Sequence, residues 1–156
     1  MSAKARFLQK LQDKQTKSGP YNTKAQADIA EFQLRMSQLQ ASMEVWLEGT
    51  DIHPESRPVS LVEFLIGGKT FEVPGISLRY ENKVVKFTPV FLYGHGVTGC
   101  AEVTLLADGS VIQLCRLFMR EGKSSCWTWR PAGNQTAPGG AFDENVFFSL
   151  LERSVS

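Results

Sequence analysis

The most regular pattern in the chain is a seam of apolar residues in its N-terminal third. Within residues 22–48, apolar side chains recur at alternating intervals of four and three, and mostly Gln, Ser, Lys and Glu fill the positions between them. Positions with this spacing share one face of a helix, so the pattern predicts an amphipathic helix over 22–48. The seam consists of Ala25, Ile29, Phe32, Met36, Leu39, Met43 and Trp46.

Two surfaces could cover this seam. The first is the chain's own sheet, which suits aromatic side chains such as Phe32 and Trp46. The second is the same helix of another subunit, because the spacing is that of a coiled-coil heptad held for about three repeats. Both alternatives stay open from the sequence. The large seam residues are therefore candidate interaction residues, namely Ile29, Phe32, Met36, Leu39, Met43 and Trp46.

From Ser60 onward the apolar residues alternate with polar ones, which is typical of antiparallel strands with one buried face. A Gly67-Gly68 turn would set Val62 opposite Val73, and an Asn82-Lys83 turn would set Leu78 opposite Phe87. Pro74-Gly75 fits the centre of a type II turn. The predicted strands are about seven, at 60–66, 69–73, 76–80, 84–92, 98–106, 111–119 and 125–130.

The second half of the predicted sheet is apolar on both faces. A hairpin turn at Asp108-Gly109 pairs Leu105 with Ile112 and Val103 with Leu114. The opposite face also carries large apolar residues, so a helix or a partner chain must cover it. These residues are Leu106, Val111, Cys115, Leu117 and Met119.

The sequence thus predicts an α+β protein with a long N-terminal helix, an antiparallel meander of about seven strands and a short C-terminal helix. Residues 1–21 form a basic flexible arm, 22–48 the amphipathic helix, and 59–156 the sheet domain with the last helix, which Asp143 would cap. Residues 49–58 are a connector with two prolines. In element order this architecture resembles the p32-like proteins, and the resemblance implies assembly through terminal helices.

Composition narrows the class of protein. The 156 residues include 17 basic and 16 acidic ones, and this near-neutral charge argues against a generally basic nucleic-acid-binding protein. No apolar run approaches the roughly 18 residues of a membrane helix, and the N-terminus lacks a secretory signal pattern. The three cysteines form neither a disulfide framework nor a zinc motif, so we expect reduced thiols in the cytoplasm. We expect no cofactor and no metal.

Two constellations could carry chemistry. His95 precedes Cys100 by five residues, and a Cys–His pair can activate a thiolate, but no third orienting residue accompanies them. They are weak catalytic candidates, and the sequence predicts a protein that is not an enzyme. Glu63 and Glu72 fall opposite each other in the predicted register, where a solvated ladder of charges is the simpler interpretation than acid–base catalysis.

Trp127 and Trp129 lie on one face of a predicted strand, with arginines nearby. Such a surface could stack bases of single-stranded nucleic acid while the basic arm touches phosphates, or it could form a protein hot spot. The simpler interpretation is two core tryptophans under the C-terminal helix. The candidate contact residues are Arg116, Arg120, Trp127, Trp129 and Arg130.

The function predicted first is that of a non-enzymatic, homo-oligomeric interaction or adaptor protein that binds an unknown protein partner. A second possibility is a barrel or cup that binds a small apolar ligand in a pocket lined by Phe64, Phe87 and Phe118. The third is single-stranded nucleic-acid binding through Trp127, Trp129 and the basic arm.

Overall fold

Two helices pack against a seven-stranded antiparallel sheet in the computed structural model, which describes residues 3–7, 20–63, 68–94, 96–121, 126–131 and 140–155. Each strand pairs with the next one along the chain, so the sheet is a meander. The predicted α+β architecture is confirmed. The elements are the long helix Pro20–Trp46, β1 Pro54–Glu63, β2 Lys69–Tyr80, β3 Lys83–Gly94, β4 Val97–Ala107, β5 Ser110–Glu121, β6 Thr128–Pro131, β7 Gly140–Ala141 and the C-terminal helix Glu144–Val155. Residues 3–7 are also helical.

The ends of both helices follow from local chemistry. The long helix begins at Pro20, a residue type favoured in the first helical turn because the N–H groups of that turn have no partner within the helix. It ends before Gly49, whose positive φ of 86° lets the chain turn away, while the Thr50 hydroxyl donates to the Leu47 carbonyl oxygen at 2.7 Å. Asp143 caps the C-terminal helix as predicted, accepting from the Val146 N–H at 3.0 Å.

Strand β1 lies at the edge of the sheet and starts six residues before the predicted strand, inside the predicted connector. Its Pro58 lies directly opposite Pro74 of β2. Opposed residues in an antiparallel pair exchange either two hydrogen bonds or none, and proline has no N–H to donate. The backbone groups of both prolines therefore point away from the β1–β2 ladder, which is how an edge strand accommodates proline.

The predicted turn at Pro74-Gly75 is wrong, because β2 runs straight through it. Pairing between β2 and β3 begins only at Ile76. Before that point the outward edge of β2 meets the long helix, and the side-chain amide of Gln33 donates to the Glu72 carbonyl oxygen at 2.7 Å. The missing N–H of Pro74 thus costs no ladder hydrogen bond.

The predicted register of the first hairpin is also wrong. Val62 was predicted to face the core, but Leu61 takes that side of β1 and lies opposite Phe71 of β2. The strands join through a longer loop than the predicted two-residue turn, with Glu63 opposite Lys69. The resulting shift of three residues is odd, so it exchanges the two faces of β1. Val62 is consequently 52% exposed, and Glu63 is 8% exposed.

The other two hairpins lie closer to prediction. The turn at Asp108-Gly109 is confirmed, with positive φ at both residues and Leu105 opposite Ile112. The turn after β2 uses Glu81-Asn82, one residue earlier than predicted. That change shifts the pairing by an even number, so every side chain keeps its predicted face.

A bulge in β5 changes the second half of the sheet. Val103 pairs with Cys115 and not with Leu114, because the register shifts between Val103 and Thr104. The extra residue moves the following apolar side chains onto the core side, and Met119 lies beside Phe32 of the long helix. The second apolar face is therefore smaller than predicted. The side chains that joined the core are Cys115, Leu117 and Met119.

Candidate functional site

The seam of the long helix packs on the chain's own sheet and C-terminal helix. Phe32 lies 6.5 Å from Trp127 between ring centroids, and Trp46 lies 5.2 Å from Phe147. Ile29 and Trp46 are half-buried, and the other large seam residues are buried: Phe32, Met36, Leu39 and Met43. Oligomerisation through these side chains would require them to leave the core.

A polar cluster fixes the N-terminal half of the long helix to the sheet. Asp28, only 6% exposed, receives hydrogen bonds from the guanidinium of Arg120 and from the Tyr93 hydroxyl, the latter at 2.5 Å. Arg120 also donates to Glu31 at 2.9 Å. Glu63 accepts from the Tyr93 backbone N–H at 3.3 Å. The cluster joins the helix to β1, β3 and β5.

The contacts of the cluster shift the pKa values of Tyr93 and Arg120. Burial, with the hydrogen bond to Asp28, raises the pKa of the Tyr93 hydroxyl, so it remains a donor. Burial by itself would lower the pKa of Arg120, but the hydrogen bonds and charges of Asp28 and Glu31 raise it. These shifts keep the Tyr93 hydroxyl protonated and Arg120 charged at neutral pH, so both remain hydrogen-bond donors to Asp28.

One feature of the sequence indicates this cluster. Asp28 follows Ala25 by three positions and precedes Phe32 by four, which places a carboxylate on the seam face. A charge on a core face requires a partner. The identity of that partner depends on tertiary contacts from strands far along the chain.

The aromatic and arginine residues proposed for nucleic-acid contact are engaged internally. Trp127 is buried beneath the guanidinium of Arg35, which lies 5.6 Å from its ring centroid. Arg130 pairs with Glu121 and lies over the ring of Phe118. Trp129 is half-buried.

The arginines likewise lie beside acids. Arg116 lies opposite Glu102 on β4 and opposite Arg130 on β6, while Arg120 belongs to the polar cluster. Trp127 is a core residue, as the simpler interpretation had it, and its ring packs near Phe32 of the long helix.

The Cys100 thiol of the candidate catalytic pair does not have the lowered pKa that is typical of a reactive cysteine. Burial raises the pKa of Cys100 to about 12, so the nucleophilic thiolate is scarce at neutral pH. His95 lies outside the described residues. Glu63 and Glu72 do not oppose each other, because Glu63 pairs with Lys69 and Glu72 with Ser60. Within the described ranges, no three His, Cys, Asp or Glu side chains are grouped to hold a metal.

The predicted ligand pocket is not formed by its described members. Phe87 is fully buried against Phe147, whereas Phe118 lies under Arg130. Phe64 lies outside the described residues. A groove of about 340 Å³ exists elsewhere, between the long helix and the β1–β2 hairpin. It is lined by Gln33, Ser37, Ser56, Pro58, Glu72, Val73 and Pro74.

The outer face of the long helix, opposite the seam, is unusual in composition. Leu34 is 57% exposed and Val45 is 62% exposed. Between Gln26 and Ala41 the most exposed positions of the helix are uncharged, and the partly exposed Glu31 is paired with Arg120. We call the following residues the outer stripe: Ala27, Ala30, Leu34, Gln38, Ala41 and Val45.

No helix in the described part of the chain has the length and apolar character needed to cross a membrane. No protein family matches the chain, and neither a curated protein nor a solved structure matches it.

Proposed function

We propose that this chain is a non-enzymatic interaction protein that forms a homodimer through the outer stripe of its long helix. The observation that carries the proposal is the exposure of Leu34 and Val45 on one helix face, where the most exposed positions between Gln26 and Ala41 are uncharged. A solvated helix ordinarily carries charged and polar side chains on the face turned away from the core. A face of this composition is typical of one that packs against another surface.

The outer stripe differs from the seam named in the sequence analysis. The seam is already buried within the chain, so the proposal moves the contact to the opposite side of the same helix. Burial of each large apolar side chain on association contributes about 1.5–3 kcal/mol before the costs of association. The alanines at 27, 30 and 41 allow the two helix backbones to approach closely.

Other features of the chain fit an interaction role. Arg120 and Arg130 are paired with carboxylates of the same chain, and the buried Cys100 is a protonated thiol. All three cysteines are free, which fits the reducing cytoplasm in which we place the protein.

Light scattering tests the proposal by measuring the mass of the full chain in solution. A homodimer has twice the 17.4 kDa mass of one chain. The double variant Leu34→Lys/Val45→Lys should be monomeric and keep its fold by circular dichroism, because both side chains are exposed in one chain. The matched control is Val111→Lys, which alters an equally exposed apolar residue on β5 and should remain dimeric. A monomeric parent chain at every concentration would refute the proposal.

A further inference from the structure

The side chains and charges of the outer stripe also indicate how the two copies of the proposed homodimer are oriented. This inference rests on the proposed homodimer. We infer that the two long helices pair antiparallel about a two-fold axis near Ser37 and Gln38. In this arrangement Leu34 lies against Ala41 of the partner subunit, and Val45 lies against Ala30 of the partner subunit.

Large and small side chains are distributed symmetrically along the outer stripe. Leu34 and Ala41 lie at equal distances on either side of the midpoint between Ser37 and Gln38, and so do Ala30 and Val45. An antiparallel pair with its axis at this midpoint places each large residue against an alanine. Alternation of large and small residues across an interface lets the two layers interdigitate. A parallel pair would place Leu34 against itself and leave alanine opposite alanine.

The two ends of the outer stripe carry opposite charges. Lys24 is exposed at the N-terminal end, and Glu44, Glu48 and Asp51 are exposed at the C-terminal end. Antiparallel pairing brings the basic end of one copy to the acidic end of the other. Parallel pairing would bring like charges together, which costs free energy at each end.

One further electrostatic effect acts in the same direction. The dipoles of two antiparallel helices oppose each other, which is the favourable arrangement. Charge complementarity therefore favours a second copy of this chain as the occupant of the stripe.

Disulfide crosslinking tests the orientation directly. Cys126 is exposed and is first replaced in a Cys126→Ser background, while Cys100 and Cys115 are buried. Leu34→Cys and Ala41→Cys are then prepared as separate proteins and oxidised alone and as a mixture. A disulfide forms only where the two Cα atoms approach within about 7 Å. The inference expects a mixed disulfide between the two variants, identified by mass spectrometry, and little crosslinking of either variant alone.

The outcomes separate this inference from the proposed function. A dimeric mass together with efficient crosslinking of Leu34→Cys to itself would overturn the antiparallel arrangement and leave the homodimer intact. A monomeric mass would overturn both, and it is the result expected if the N-terminal segment of the same chain covers the stripe.

Charge reversal gives an independent measurement of the orientation. Lys24→Glu should raise the dimer dissociation constant roughly two- to fivefold at low salt, because it removes attraction to the partner's acidic end. Adding Glu48→Lys, which reverses an exposed acid at the C-terminal end of the helix, should restore the affinity. If Lys24→Glu left the dissociation constant unchanged at low salt, the antiparallel arrangement would be contradicted.

Discussion

The hydroxyl of Tyr93 donates a hydrogen bond to a carboxylate oxygen of Asp28 at 2.5 Å, connecting the end of β3 to the buried side of the long helix. Asp28 is a charged group at a core position, and Arg120 supplies its counter-charge. The long helix is therefore attached by two kinds of contact. Polar contacts hold its N-terminal half, and packing of Trp46 on Phe147 holds its C-terminal end.

Replacement of Tyr93 by Phe should lower the free energy of unfolding by about 1 kcal/mol, because Asp28 loses one hydrogen bond and keeps Arg120. Urea unfolding followed by circular dichroism measures this difference, with an unchanged m value. The control is Tyr80→Phe. The Tyr80 hydroxyl is buried without a hydrogen-bond partner among the described residues, so its removal should be neutral or slightly stabilising.

Arg120→Met should destabilise the fold more strongly than Tyr93→Phe. It leaves the Asp28 carboxylate buried without its counter-charge, and breaking a fully buried pair costs roughly 3–5 kcal/mol. Because the Arg120 side chain is 31% exposed, we expect about 2 kcal/mol. The double variant Asp28→Asn/Arg120→Met should recover part of this loss in the same urea titration. A loss for the double variant equal to the sum of the two single losses would argue against direct coupling.

Gly99→Ala should destabilise the protein by about 3 kcal/mol, through backbone strain together with overpacking. Gly99 has a positive φ of 73°, and a Cβ atom there would lie 2.8 Å from the Cβ atom of Met119 and 3.2 Å from a Phe32 ring carbon. The matched control is Gly109→Ala, where φ is 77° but no atom lies within 4 Å of the new Cβ. That control should cost only the strain, about 1–2 kcal/mol. Equal losses in thermal or urea unfolding would contradict the close approach of helix and β4.

The three cysteines should differ sharply in reactivity. Cys126 is exposed and should react with a maleimide or a disulfide reagent within minutes at pH 8 in the native protein. Burial raises the pKa of Cys100 and of Cys115 to about 12, so both should react only after unfolding in denaturant. Counting modified thiols by mass spectrometry checks the expected ratio of one in the native state to three in the unfolded state.

The same two thiols predict a loss of stability in alkali. Their pKa is raised in the folded state above the ordinary value of 9.0. The folded state therefore binds protons more tightly than the unfolded state, and this contribution is fully present below pH 9 and declines as pH rises toward about 12. Cys100→Ala/Cys115→Ala should show a shallower decline of the unfolding free energy between pH 8 and 10, after correction for its lower stability at pH 7.

The helices and the order of the strands were predictable because they depend on local patterns. The interval of three and four between Ala25 and Trp46 identifies the buried helix face without knowledge of what covers it. Whether the sheet or a partner helix covers this face depends on tertiary structure, which the spacing of residues does not reveal. Phe32 and Trp127, for example, are in contact although they lie far apart in the sequence and no pattern of spacing connects them.

The register of the first hairpin could not be predicted from turn residues alone. Gly67-Gly68 has the composition of a two-residue turn, but the pairing of Glu63 with Lys69 shows a longer connection. An odd error of this kind moves a whole strand to the opposite face, and so Glu63 was expected in solvent. Similarly, the β5 bulge at Leu114 lacks a glycine that would mark it. The polar cluster depends on the observed register, because this register brings Glu63 to the core side of β1, where it accepts from Tyr93.

The prolines of β1 limit the addition of a further strand at the free edge of the sheet. Pro54 and Pro58 occupy positions of the same parity, so neither offers an N–H group along the free edge of the sheet. A strand from another molecule would find an incomplete set of donors there and could not extend the sheet from one chain to the next. Growth without limit into fibres is thereby opposed at this edge. The proposed homodimer does not use this edge, because its two copies would associate through side chains of the long helix, and a two-fold contact of that kind would end at a pair.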